Sequence, residues 1–206
     1  MEWGDYFKED NLLILFKSIN KLILLMKIDK VIIINLEHRK DRRQQIIKEL
    51  KRVGIDNFEF FKAVKPSEEM VKMWNPQFLN PIPQWFALSG GDHTKYRIGA
   101  LGCMLSHMEI IKKCIEDKYE NVLILEDDAE FYNTENYRGI DIIETALDQL
   151  SKIDNWEIFF LGSNLHDTEL NLSSPNLIKC DCCVSTQAYI LNKNTEKITS
   201  HMKEIV

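Results

Sequence analysis

Val31-Ile32-Ile33-Ile34-Asn35-Leu36 (residues 31–36) is the stretch on which the fold turns. It is β-branched and does not alternate between apolar and polar. A strand with one face in water would alternate, so this one reads as a central strand buried between helix layers. Downstream, the charged stretch 38–43 opens a helix on which Ile46, Ile47, Leu50 and Val53 recur at helical spacing. Gly54 stands where such a helix ends in a left-handed residue. Residues 58–61, with Phe58, Phe60 and Phe61, read as a second short strand. A β-α-β opening predicts an α/β fold: a mostly parallel central sheet flanked by helices.

Upstream, residues 11–28 place Leu12, Leu15, Phe16, Ile19, Leu22, Ile23 and Met26 at helical spacing. Lys17, Asn20, Lys21 and Lys27 interrupt them, and a membrane span needs about 20 mainly apolar residues. Glu2, Asp5, Glu9 and Asp10 carry the wrong charge for the start of a signal peptide. The stretch reads as an amphipathic helix packed on the domain or a partner, with peripheral membrane contact as the alternative. Residues 1–29 are thus read as an N-terminal extension and residues 30–206 as the domain.

With 26 basic and 32 acidic residues, the net charge of −6 argues against nucleic-acid binding driven by counterion release. Five cysteines, an odd number, argue against a disulfide framework. Cys180, Cys182 and Cys183 form a C-x-C-C cluster without the spacing or partners of a zinc site, so free thiols in a reducing, cytoplasmic setting are expected. The sequon Asn171-Leu172-Ser173 carries no meaning there.

Residues 65–98 show no sustained period and read as loops, with one short helix near residues 67–74 capped by Ser67. Met104, Met108, Ile111 and Ile115 mark the next helix, with Cys103, His107, Ile110 and Cys114 as a second stripe. Residues 122–125 form a strand, then Ile140, Ile143, Leu147 and Leu150 a helix. Strands follow at 157–161, ending at Gly162, and at 183–191; Asn194 would cap a last helix.

Three features carry chemistry. Glu126, Asp127, Asp128 and Glu130 follow directly on the strand 122–125, and ligands of open α/β sheets bind at the carboxyl ends of strands. Carboxylates there suit a hard divalent cation that neutralises phosphate oxygens. In extended backbone Glu126 and Asp128 would point the same way and Asp127 the other, a D-x-D-like pair. The bland alternative is a solvated acidic turn. The second feature is Asn35-Leu36 with Arg39, Asp41, Arg42 and Arg43, at a strand end and helix start suited to phosphate. The third is Gly99-Ala100-Leu101-Gly102-Cys103 with Ser106 and His107 one turn into the helix, where a backbone can approach a sugar or diphosphate. A satisfied core histidine and simple cysteine packing are the alternatives for His107 and Cys103.

The opening I-N-L-x-x-R-x-D-R, the segment G-C-x-x-S-H, the strand end L-E-D-D and Thr186-x-Ala188-Tyr189-Ile190 occur in that order between residues 31 and 191. Together they resemble glycosyltransferase family 25, the lipooligosaccharide and procollagen hydroxylysine galactosyltransferase group. The resemblance implies a GT-A fold, a UDP-sugar donor carrying galactose or glucose, a divalent metal such as Mn2+, and a glycan, lipooligosaccharide or hydroxylysine-type acceptor. By motif, Asn35, Leu36, Arg39, Arg42, Gly102, Ser106, His107, Glu126 and Asp127 would border the nucleotide sugar, and Glu126 and Asp128 would hold the metal. It further implies inversion through a carboxylate base; no residue is assigned that role.

Two departures stand out. Ala100 replaces an acidic residue common in the family, and the chain ends at Val206, where members continue into an acidic motif. An inactive or weak GT-A module that binds nucleotide sugar or glycan therefore stays open beside the enzyme. So does a phosphohydrolase or nucleotidyltransferase, which would want a further carboxylate or histidine constellation.

Overall fold

The computed structural model describes residues 23–24, 26–74, 92–131, 139–165, 171–175, 177–179 and 183–195. Most of the expected amphipathic helix at 11–28, residues 75–91 of the expected loop at 65–98, and Cys180 and Cys182 lie outside the described residues.

The buried run forms β1 (Lys30–Asn35), in which every residue from Val31 to Asn35 is buried. Its alternation serves two faces at once. Val31 and Ile33 point into one core with Leu123, Leu125 and Ile190, while Ile32 and Ile34 point into the other with Val122, Ile124, Tyr189 and Leu191. That is why residues 31–34 show no polar position. Each fully buried Ile contributes roughly 1.5–3 kcal/mol relative to exposure.

The first core is closed by helices α1 (Lys40–Arg52), through Ile46 and Leu50, and α4 (Gly139–Leu150), through Ala146, Leu147 and Leu150. The second is closed by α3 (His93–Glu116) through Ile110, Ile111 and Cys114. Helix α1 ends as its sequence suggests: Val53 is the C-cap and Gly54 adopts φ 79°, the left-handed region.

The sheet order is β2-β1-β3-β7-β4, with β2 (Glu59–Lys62), β3 (Asn121–Glu126), β4 (Ile158–Leu165) and β7 (Cys183–Asn192). β1 pairs parallel with both β2 and β3, while β7 runs antiparallel between β3 and β4. Four strands thus share one direction, which is the mostly parallel, helix-flanked sheet expected of a GT-A-like α/β domain. Opposite Ile34 lies Glu126, so Asn35 and Asp127 emerge side by side at the carboxyl edge.

Three local expectations shift. Helix α3 begins at His93, inside the stretch expected to be loop, because Asp92 caps it by accepting from Thr94 N (3.0 Å) and Lys95 N (3.2 Å). Gly99 and Gly102 therefore sit within the helix. β4 runs through Gly162 to Leu165, with register shifts around that glycine. A small antiparallel hairpin, β5 (Asn171–Ser174) with β6 (Leu177–Lys179), lies between β4 and β7, where the sequence pattern marks no element. The short helix α2 (Glu68–Met73) forms where expected, with Ser67 Oγ accepting from Met70 N at 3.2 Å. Among the described residues no helix is long and apolar enough to cross a membrane.

Candidate functional site

Two strand ends and one helix face converge at the carboxyl edge of the sheet. The Asn35 side chain, buried because its strand is central, donates from Nδ2 to Asp127 Oδ2 (2.8 Å) and to the Arg39 carbonyl (3.3 Å). Arg42, on the first turn of α1, donates from Nη1 to Asp128 Oδ2 (2.6 Å) and Asp127 Oδ1 (3.2 Å). Hydrogen bonding to Asp128 raises the Arg42 guanidinium further above its ordinary value, burial opposing. The two motifs read separately from the sequence, around residues 35–42 and 126–128, are thus one hydrogen-bonded unit.

Strand alternation stops at Glu126. Asp127 and Asp128 lie in a turn in which Ala129 N donates to the Glu126 carbonyl at 3.1 Å. Asp127 and Asp128 consequently share Arg42, and Glu126 faces elsewhere; the expected same-side pairing of Glu126 with Asp128 does not occur. Glu126 Oε1 accepts from Thr186 Oγ1 (2.6 Å) and contacts His107 Nε2 (3.2 Å). Burial would lift the Glu126 carboxyl, but the His107 and Thr186 hydrogen bonds outweigh it and hold the group below the ordinary carboxylate range. On His107, burial acts downward, yet hydrogen bonds with Cys103 and Glu126 push it up to about 9. Nδ1 of His107 meets Tyr189 Oη at 2.8 Å, in a buried pocket against the sheet.

A cleft of about 320 Å³ runs between α3 and the segment after β2, lined by Leu36, Ala63–Pro66, Lys95, Gly99, Gly102, Cys103, Ser106, His107, Glu126 and Asp127, among others. Gly102 lets that segment approach: a Cβ there would lie 2.7 Å from the Val64 carbonyl oxygen. Ser106 pins it, accepting from Val64 N (2.8 Å) and donating to the Gly102 carbonyl (2.6 Å). A second pocket of about 340 Å³ lies at the opposite, amino end of β1 and holds none of these groups.

Of the predicted site residues, Leu36, Gly102, Ser106, His107, Glu126 and Asp127 line the cleft, and Asn35, Arg42 and Asp128 adjoin it through Asp127. Arg39 instead pairs at 2.7 Å with the exposed Asp41 and is itself half-buried. Arg43 turns aside to cover the Phe60 ring at 3.7 Å. Thr186, Tyr189 and Cys103 were not assigned to the site. The four-residue spacing of Cys103 and His107 was the legible signal; nothing local points Thr186 at Glu126.

Residues 28–205 match the sequence profile of the family described as "Glycosyltransferase family 25 (LPS biosynthesis protein)". A "Glycosyltransferase 25 family member" of Aedes aegypti is 29% identical over 133 residues, 63% of this chain and 20% of that protein. "Procollagen galactosyltransferase 2" of Mus musculus is 26% identical over 166 residues, 78% of this chain and 25% of that one. A "Lipooligosaccharide biosynthesis protein" of Haemophilus influenzae is 26% identical over 176 residues, 82% of this chain and 62% of the relative. The chain thus spans between a fifth and a quarter of the first two proteins and under two thirds of the third.

Proposed function

The chain belongs to glycosyltransferase family 25, and on that premise we propose that it transfers a hexose, galactose or glucose, from a UDP-sugar to a hydroxyl of a glycan, lipooligosaccharide or hydroxylysine-type acceptor. The reading includes a divalent cation, Mn2+ first, and inversion at the anomeric carbon. The observation that carries it is the junction of Asn35 and Arg42 with Asp127 and Asp128 beside the cleft, where two family motifs meet at the carboxyl edge of the sheet.

The donor set fits a hard cation. Glu126, Asp127 and Asp128 are faced by Arg42 and His107, so with His107 protonated one negative charge is uncompensated. Buried beside Asp127, Asn35 Oδ1 has no hydrogen-bond partner, an omission that costs about 1–3 kcal/mol unless a ligand or ion satisfies it. Asp128 and Asp127 would hold the cation, with Glu126 nearer the sugar or ribose. When bound, the cation would neutralise the diphosphate leaving group as a Lewis acid. Arg42 orients both carboxylates and can form a bidentate contact to phosphate. Leu36 and Ala63–Pro66 line the cleft, and Lys65 and Lys95 add positive charge for a diphosphate. A mouse relative named procollagen galactosyltransferase and a bacterial one named for lipooligosaccharide biosynthesis support both acceptor classes.

The test is UDP release from a panel of UDP-sugars with Mn2+ and acceptor. Release with one donor is expected; Mn2+-dependent UDP binding without release from any donor would instead favour a binding module. Asp128→Ala should abolish the metal dependence of UDP binding, and an unchanged affinity would refute this metal placement.

A further inference from the structure

Cys103 and His107 lie one turn apart on α3, and Glu126 ends the neighbouring strand β3. One donor atom from each gathers at a single point: all three lie within 4.8 Å of one another. His107 Nε2 is 3.2 Å and Cys103 Sγ 4.0 Å from Glu126 Oε1. A tetrahedral zinc, with bonds of roughly 2.0–2.3 Å, requires donor separations of about 3.3–3.6 Å, so small side-chain adjustments suffice.

We infer that Cys103, His107 and Glu126 form a three-ligand site for zinc, with its fourth position open to the cleft. The donors differ in kind from the neighbouring carboxylates. A thiolate and an imidazole select a borderline-soft cation, whereas Asp127 and Asp128 offer only oxygen and are already joined to Arg42. Supporting contacts are in place. Tyr189 Oη holds His107 Nδ1 at 2.8 Å, which leaves Nε2 as the coordinating nitrogen, and Thr186 Oγ1 fixes the Glu126 carboxylate at 2.6 Å. Cys103 is exposed and a free thiol, which gives the cation a route in. On binding, zinc takes the lone pairs of Sγ and Nε2, and the protons those atoms carry pass to solvent. The site does not depend on sugar transfer and is read without a donor substrate.

The experiment titrates Co2+, as a spectroscopic stand-in for zinc, into the full chain with Cys180, Cys182 and Cys183 replaced by serine. One equivalent should produce a thiolate-to-cobalt charge-transfer band and intense four-coordinate visible bands, both erased by one equivalent of Zn2+. Cys103→Ser should remove the charge-transfer band and weaken zinc, measured against a chromogenic chelator, by more than about 100-fold, while Tyr189→Phe should weaken it about 10–100-fold. Asp128→Ala should leave the spectrum unchanged. Bound cobalt without a thiolate band, equal zinc affinity in Cys103→Ser, or loss of the spectrum in Asp128→Ala would each overturn the site. Should the triple serine chain not fold, the difference spectrum between the native chain and its Cys103→Ser variant reads the same band.

Discussion

Gly102→Ala and Gly99→Ala make the same chemical change three residues apart in one helix, and they should act in opposite directions. At Gly99 an added Cβ meets nothing within 4 Å, so the substitution collects the helix preference of alanine, about 0.5–1 kcal/mol. At Gly102 the new Cβ would stand 2.7 Å from Val64 O and 3.0 Å from Pro66 Cδ. A carbon–oxygen contact is comfortable only beyond about 3.3 Å, so Val64 must retreat by roughly 0.6 Å. The atom in the way is backbone, anchored by the 2.8 Å bond from Val64 N to Ser106 Oγ, so it cannot swing aside cheaply. Overpacking of this kind costs about 1–3 kcal/mol and the stretched hydrogen bond about 1 more, against the gain of about 1 from helix propensity. Gly102→Ala should therefore lose about 1–3 kcal/mol in urea unfolding, with a midpoint on heating lower by about 2–4 °C per kcal/mol for a chain of this size. Because Val64, Pro66 and Gly102 line the cleft, the UDP binding proposed above should weaken in the same variant. Equal stability changes for the two variants, or a stabilised Gly102→Ala, would refute the close-approach argument.

Two further substitutions test the surroundings of the acidic edge. Glu49 accepts from Phe131 N (2.8 Å) and from Arg52, which also donates to the Phe131 carbonyl, so the segment leaving β3 is tied to α1. Burial lifts the Glu49 carboxyl, but the Arg52 and Phe131 hydrogen bonds prevail and hold it below its ordinary value of 4.5. A depressed carboxyl stabilises above that value and loses its contribution as pH falls through its folded pKa. Glu49→Gln should thus cost about 1–2 kcal/mol at pH 7 and progressively less below pH 4.5, read by urea unfolding across pH; a difference constant with pH would count against it. Asn35→Asp would set a second carboxylate where Nδ2 now lies 2.8 Å from Asp127, and two like charges so close cannot both ionise. It should destabilise by about 2 kcal/mol at neutral pH and recover as pH falls toward the ordinary Asp range, because its folded pKa is raised. A penalty independent of pH would show that Asp127 is not its neighbour.

Much of this molecule was legible because its signals are local. A doubly buried strand needs apolar residues on both faces, so residues 31–36 could be placed centrally without knowing their partners. Gly54 announces the end of α1 by the backbone angle it alone adopts cheaply, and Ser67 announces α2 by its cap. The start of α3 at His93 lies inside the stretch 65–98, which shows no sustained hydrophobic period, so its cap Asp92 does not stand out in the sequence. Inside the helix Gly99 meets only open space, while Gly102 serves the approach of Val64, a contact made across the fold and invisible to periodicity.

The sequence by itself determined the strand–helix–strand opening, the position of the acidic run at a strand end, and the order of motifs that places the chain in its family. Only the tertiary structure decided which way each carboxylate faces. The turn at Asp127–Asp128 sends both toward Arg42, while Glu126 turns to His107 and to Thr186, 60 residues downstream on β7. The reason is physical: backbone preference and hydrophobic period act over a few residues, whereas a hydrogen bond between distant residues exists only once strand order and register are set. β7, inserted antiparallel between β3 and β4, sets them here.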